Sequence, residues 1–158
     1  MIGDPPWLGT VGGSARTKED SDSALFFCMK RGGGDVERLP KIMGTPGAVQ
    51  GAKLQASYRH LFAEEEVVEI GFKTPAEVFI FTDRRMILAQ RLGLMGRLGE
   101  CHSFPYSNIR RLSVENVGVL DSKSELQVWV VNEEAPLRRT LKKKVSYAIH
   151  QLLSEHLK

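Results

Sequence analysis

The stretch Glu77–Arg91, EVFIFTDRRMILAQR, decides how this chain is read. Val78–Phe81 and Met86–Ala89 are two apolar runs rich in Val, Ile and Phe, and Thr82–Arg85 between them is short and polar. Branched and aromatic side chains pack well on a pleated surface, so the pair reads as a hairpin of strands rather than a buried helix. Thr-Asp favours the turn, although no Asn-Gly or Asp-Gly fixes its type. Each run is apolar on both faces. These two strands are therefore expected to be covered on both sides.

On the N-terminal side, Val68, Ile70 and Phe72 alternate with Val67, Glu69 and Gly71, which predicts a half-buried strand. Lys73-Thr74-Pro75 ends it, because proline cannot donate to a ladder. On the C-terminal side, Leu92–Gly99 reads as a glycine-punctuated connection. A fourth strand carries Phe104 and Tyr106 on one face, with Pro105 suggesting that it is an edge strand or a short one, and Ser107-Asn108 turns the chain. A fifth strand faces Leu112 and Val114 inward, and a sixth faces Leu126, Val128 and Val130 inward with Trp129 on its opposite face. Leu137 and Leu141 flank a seventh. The period then changes: Val145, Ile149, Leu152, Leu153 and His156 form the stripe of an amphipathic helix. Upstream, Ala48, Ala52, Tyr58, Leu61 and Phe62 fall near helical spacing, predicting a short helix over about 49–63. Seven antiparallel strands over about 64–141, closed by a helix over about 145–157, make a mainly β sandwich or partly open barrel.

The chain has 158 residues, 42% of them hydrophobic, enough to bury one core. Its net charge of +3 is too mild to name nucleic acid or an anionic membrane as a partner. Two cysteines, Cys28 and Cys101, do not make a disulfide framework, and no run approaches the length of a spanning helix. A cytoplasmic protein is the expectation. Up to Gly51 the chain holds ten of its fifteen glycines and four of its seven prolines, and its charges balance. Residues 1–42 are expected to be a disordered or non-native extension, since such composition does not repay its ordering entropy. Met43 is the expected start of the fold. Ala24–Met29 is the one apolar island before it. Gly47–Lys53, GAVQGAK, lacks the spacing and the hydroxyl residue of a phosphate-binding loop.

The segments FIFTDRRMILAQ, GLMGR, SFPYSNIRRLSVENVG, LDSKSELQVWV and YAIHQLL occur in the order and spacing of bacterial pleckstrin-homology (PH) domains. The chain from Glu64 to Lys158 resembles that family. The resemblance implies a PH-like fold for residues 43–158, a bent antiparallel barrel with a C-terminal helix. It also implies a non-enzymatic module that builds homo-oligomeric rings. It does not imply phosphoinositide recognition, because the loop Lys73–Glu77 carries one lysine and one glutamate where eukaryotic relatives carry a basic cluster.

Few residues could carry chemistry. Cys101 and His102 are neighbours on a strand, so they face opposite ways and cannot meet as nucleophile and base. His60, His150 and His156 have no ligand spacing for a metal, and no metal or cofactor is expected. Glu64-Glu65-Glu66 reads as a solvated charge run. Arg138, Arg139, Lys142, Lys143 and Lys144 form the best candidate binding surface, suited to an anion or a lipid headgroup. Lysines at a helix N-terminus oppose its dipole, so a counter-anion would help there. Trp129 is the candidate oligomer anchor. The expected activity is a self-assembling scaffold, with another protein as a possible further partner and anionic-surface binding through residues 138–144 as the alternative.

Overall fold

A computed structural model describes residues 42–118 and 122–157. The expectations for residues 1–41, including the Ala24–Met29 island, lie outside the described residues. Among these residues, eight strands form two antiparallel sheets: β1 (Ala48–Gln50), β2 (Val68–Lys73), β3 (Glu77–Thr82), β4 (Arg85–Leu92) and β5 (Arg97–Pro105) in chain order, then β6 (Ile109–Asn116), β7 (Lys123–Val130) and β8 (Leu137–Lys142). Helix α1 spans Gly51–Ser57, and helix α2 spans Lys143–His156.

The quoted stretch is the β3–β4 hairpin, with Phe81 opposite Met86 and Val78 opposite Ala89. Both faces are covered, as its unbroken apolar pattern requires. Phe79, Phe81, Met86 and Leu88 face the space between the sheets, where they meet Leu126 and Val128 of β7 and Ile149, Leu152 and Leu153 of α2. Val78, Ile80 and Ile87 face the other way and pack with Leu54 and Tyr58 of the α1 segment. Each buried side chain of this size stabilises the fold by about 1.5–3 kcal/mol. Helix α2 packs on β6, β7 and β8 and fills the end of the barrel.

Three local readings change. The helix expected over 49–63 is split: Ala48–Gln50 pairs with Phe72–Ile70 as β1, α1 takes about two turns, and Arg59–Leu61 is a 3₁₀ turn. Pairing with β2 takes the start of the span into the sheet, and Gly71 seats the part that stays helical. A side chain there would collide with Leu54 Cδ1 and Phe79 O, so its glycine lets α1 sit directly on the sheet. Second, Arg97–Gly99 belong to β5, paired with Leu92 and Arg91, and not to the connection. Third, Tyr106 lies in the 3₁₀ turn Tyr106–Asn108 between the sheets.

Candidate functional site

The basic segment does not form one patch. Along β8, side chains alternate between faces, and the two arginines take different partners. Arg139 points between the sheets and grips Glu77 of β3, with Nε donating to both carboxylate oxygens at 2.9 and 2.7 Å. That pair ties one sheet to the other. Arg138 is on the outer face, 3.5 Å from Glu125 of β7. The lysines remain exposed. Lys142 stands opposite Lys123 across the β7–β8 ladder, and Lys143 and Lys144 open α2. No side chain caps that helix, and its first turn has no acidic residue. The cations that could meet an anion are thus Lys123, Lys142, Lys143 and Lys144.

Trp129 is half-buried on the outer face of the three-stranded sheet. The guanidinium of Arg111, its cross-strand partner, lies 4.6 Å above the indole ring. A cation over an aromatic face contributes about 0.5–1 kcal/mol at such a site. Helix α1 packs on β1, β2 and β3, so it is Arg111 that covers the indole. On β5, His102 pairs with Leu88 and shares a face with Phe104, whereas Cys101 pairs with Ala89 on the opposite face. His102 Nε2 is 3.3 Å from Glu100 and its ring stacks on Phe104. A small cleft of about 180 Å³ lies between β5 and β8, with the Glu77–Arg139 pair and His102 among its walls.

The glutamate run contains the most strongly held charge in the described fold, which its sequence does not announce. Glu66 is 1% exposed. Arg85 donates from Nε and Nη2 to its two oxygens, both at 2.8 Å. The Thr82 hydroxyl and the Ala63 N–H donate to it at 2.8 and 3.0 Å. Burial alone would raise its pKa, but these hydrogen bonds and the charge of Arg85 outweigh it and hold the carboxyl at about 2. Arg85 also reaches the Leu61 carbonyl and Ser103. Close by, Tyr106 donates its hydroxyl to the Thr82 carbonyl at 2.7 Å and stacks on His156, ring centroids 3.8 Å apart. His156 Nε2 lies 3.5 Å from Glu69. These contacts staple the C-terminal end of α2 to β2 and to the corner between the sheets. They fix the barrel's geometry.

Two antiparallel sheets joined at a corner and plugged by a C-terminal helix match a known family. Residues 39–157 match the model of the bacterial PH domain. The chain belongs to the bacterial PH domain family. The chain is 36% identical over 115 residues to the uncharacterized protein YjqA of Bacillus subtilis, covering 72% of this chain and 92% of that protein. A PH domain from Shewanella amazonensis SB2B is similar in structure, with a TM-score of 0.58 and 27% identity over 68% of this chain and 98% of that one. A DUF1696 family protein with a PH domain from Shewanella loihica PV-4 gives a TM-score of 0.60 and 26% identity, covering 72% of this chain and all of that one. The tryptophan typical of the closing helix in eukaryotic PH domains has no counterpart in α2 of this bacterial PH domain. Among the described residues, no helix is long and apolar enough to cross a membrane.

Proposed function

We propose that this PH domain is a cytoplasmic, non-enzymatic scaffold that assembles with copies of itself through its free sheet edges. The carrying observation is β5. It is nine residues long, among the described residues it is hydrogen-bonded only to β4, and six of its nine residues (Arg97, Glu100–Ser103 and Pro105) are exposed, with the rest half-buried. One side of its backbone therefore offers unpaired N–H and C=O groups, a template for another strand. At the second sheet, β6 has eight residues and is likewise paired on one side only. Pairing β5 of one copy with β6 of the next is head-to-tail, and such contacts close into a ring when the rotation allows. The ring builders of the resembled family support this reading.

Light scattering on the full chain, resolved by size, tests it. Discrete multiples of the 17.6 kDa protomer mass are expected. A monomer at all concentrations up to the highest attainable would sink the proposal.

The second reading, an anionic surface bound through the lysines of the segment 138–144, is favoured by one observation: Lys123 and Lys142 face each other beside an uncapped helix start. Like charges held opposite are unfavourable, and a phosphate between them would relieve that. Reversal of Lys142, Lys143 and Lys144 to glutamate would then abolish polyanion binding, whereas Arg139→Glu would instead unfold the contact between the sheets.

A further inference from the structure

The β4–β5 hairpin ends in Leu92-Gly93-Leu94-Met95-Gly96, and it holds the most exposed apolar side chains of the described fold. Leu94 is 103% exposed, Met95 90% and Leu92 49%. Gly93 and Gly96 adopt φ of +63° and +69°, which lets the chain reverse, and beyond the adjoining residues nothing lies within 4 Å of where a side chain on either would begin. The tip stands clear of the molecule. Two adjacent, fully hydrated apolar side chains contribute nothing to this fold.

The surroundings of the tip are cationic. Arg91 and Arg97 flank it, and no acidic residue occurs between Arg91 and Gly99. Arg91 donates from Nη1 to the Thr74 carbonyl at 2.7 Å, so the hairpin base is tied to the turn after β2, beside exposed Lys73. The nearest carboxylates on the adjoining strands are engaged: Glu77 by Arg139, and Glu100 beside His102.

We infer that this tip inserts Leu94 and Met95 into the interfacial zone of an anionic lipid bilayer, with Arg91 and Arg97 against the headgroup phosphates. A convex point of two apolar side chains inside a basic collar matches that surface, because acyl chains take up the apolar area and anionic headgroups attract the arginines. The alternative occupant, a second copy, would need an apolar groove. Among the described residues, the cleft between β5 and β8 does not offer one, because it is walled by an ion pair and a histidine. The inference goes beyond self-assembly and does not depend on it.

The test is sedimentation of the full chain with vesicles of phosphatidylcholine alone or with about one quarter phosphatidylglycerol, alongside light scattering of the same samples without lipid. The unaltered chain is expected to bind the anionic vesicles and to be released by high salt. L94S/M95S should bind at least about tenfold more weakly, since both apolar contacts are lost. R97E should bind at least about fivefold more weakly, given the attraction per basic residue near such a surface. Both variants should keep the melting temperature and mass of the parent, because the altered side chains touch no core residue. No vesicle binding by the full chain would overturn the inference, as would undiminished binding by L94S/M95S. A fall in mass of L94S/M95S, with or without weaker binding, would assign the tip to a second copy and also overturn it. Assembly itself is read separately from the mass of the unaltered chain.

Discussion

Glu66 shows what one residue in a run of three can hide. Glu64, Glu65 and Glu66 are alike in sequence, and a solvated loop is the natural reading of all three. Glu66 departs from it because Arg85 sits at the mouth of the β3–β4 turn, 19 positions away, and a sequence pattern does not report that pairing. Removing one member of a buried ion pair leaves the other uncompensated. Glu66→Gln is expected to cost about 2 kcal/mol, read from urea unfolding, the partial exposure of Arg85 softening the loss. The pH dependence follows in sign. The carboxyl falls from 4.5 to about 2 on folding, so the folded state binds fewer protons than the unfolded state between these values. Its stabilisation, about 3 kcal/mol, is present above the unfolded value and is lost as pH falls from about 4.5 to about 2. Glu66→Gln should flatten the stability profile in that window; an unchanged acid limb would mean that another carboxylate governs it.

Among elements, the quoted hairpin was legible because four consecutive apolar residues in each strand leave no polar face, and only a doubly covered strand tolerates that. The α2 stripe was legible for the same reason, from its period. α1 was legible in part: the apolar spacing predicts a helix over 49–63 and Gly51–Ser57 within that span is helical, but the pairing of Ala48–Gln50 with β2 and the seat of Leu54 on Gly71 are contacts that no local pattern encodes. Gly71→Ala should therefore act on an element rather than on a point. It is expected to destabilise the protein by roughly 2 kcal/mol or more, because the atoms in the way include backbone, and to speed hydrogen exchange selectively in Gly51–Ser57. Equal protection in both forms would show that α1 can shift without loss. Tyr106→Phe removes the donor to the Thr82 carbonyl and should cost about 1 kcal/mol, with faster exchange in the last turn of α2. The Tyr106–His156 stack joins residues 50 positions apart, which is why His156 reads from sequence only as a partly covered helix face.

At the scale of the whole molecule, the candidate site follows from what the two sheets leave unpaired. The basic segment 138–144 looked like one surface because a sequence lists neighbours without their faces. β8 sends Arg139 to Glu77 between the sheets and Arg138 to Glu125 outside, which leaves the lysines alone at the helix start. That β5 is an edge was legible from Pro105, but its length was not, because Arg97–Gly99 carries the glycine punctuation of a loop. That edge and the lysines make opposite demands on salt. Backbone hydrogen bonds between edges carry no net charge, whereas attraction through exposed lysines is screened once the Debye length shrinks to about 3–5 Å. Assembly through β5 should therefore survive a rise from low salt to roughly 0.5 M sodium chloride, with mass unchanged by light scattering. The double substitution C101K/H102K should reduce that mass to the protomer, because lysines placed on both faces of an exposed edge oppose strand addition. If instead the mass falls with salt while C101K/H102K behaves as the parent, copies meet through charged side chains, and the edge of β5 is left for some other strand to fill.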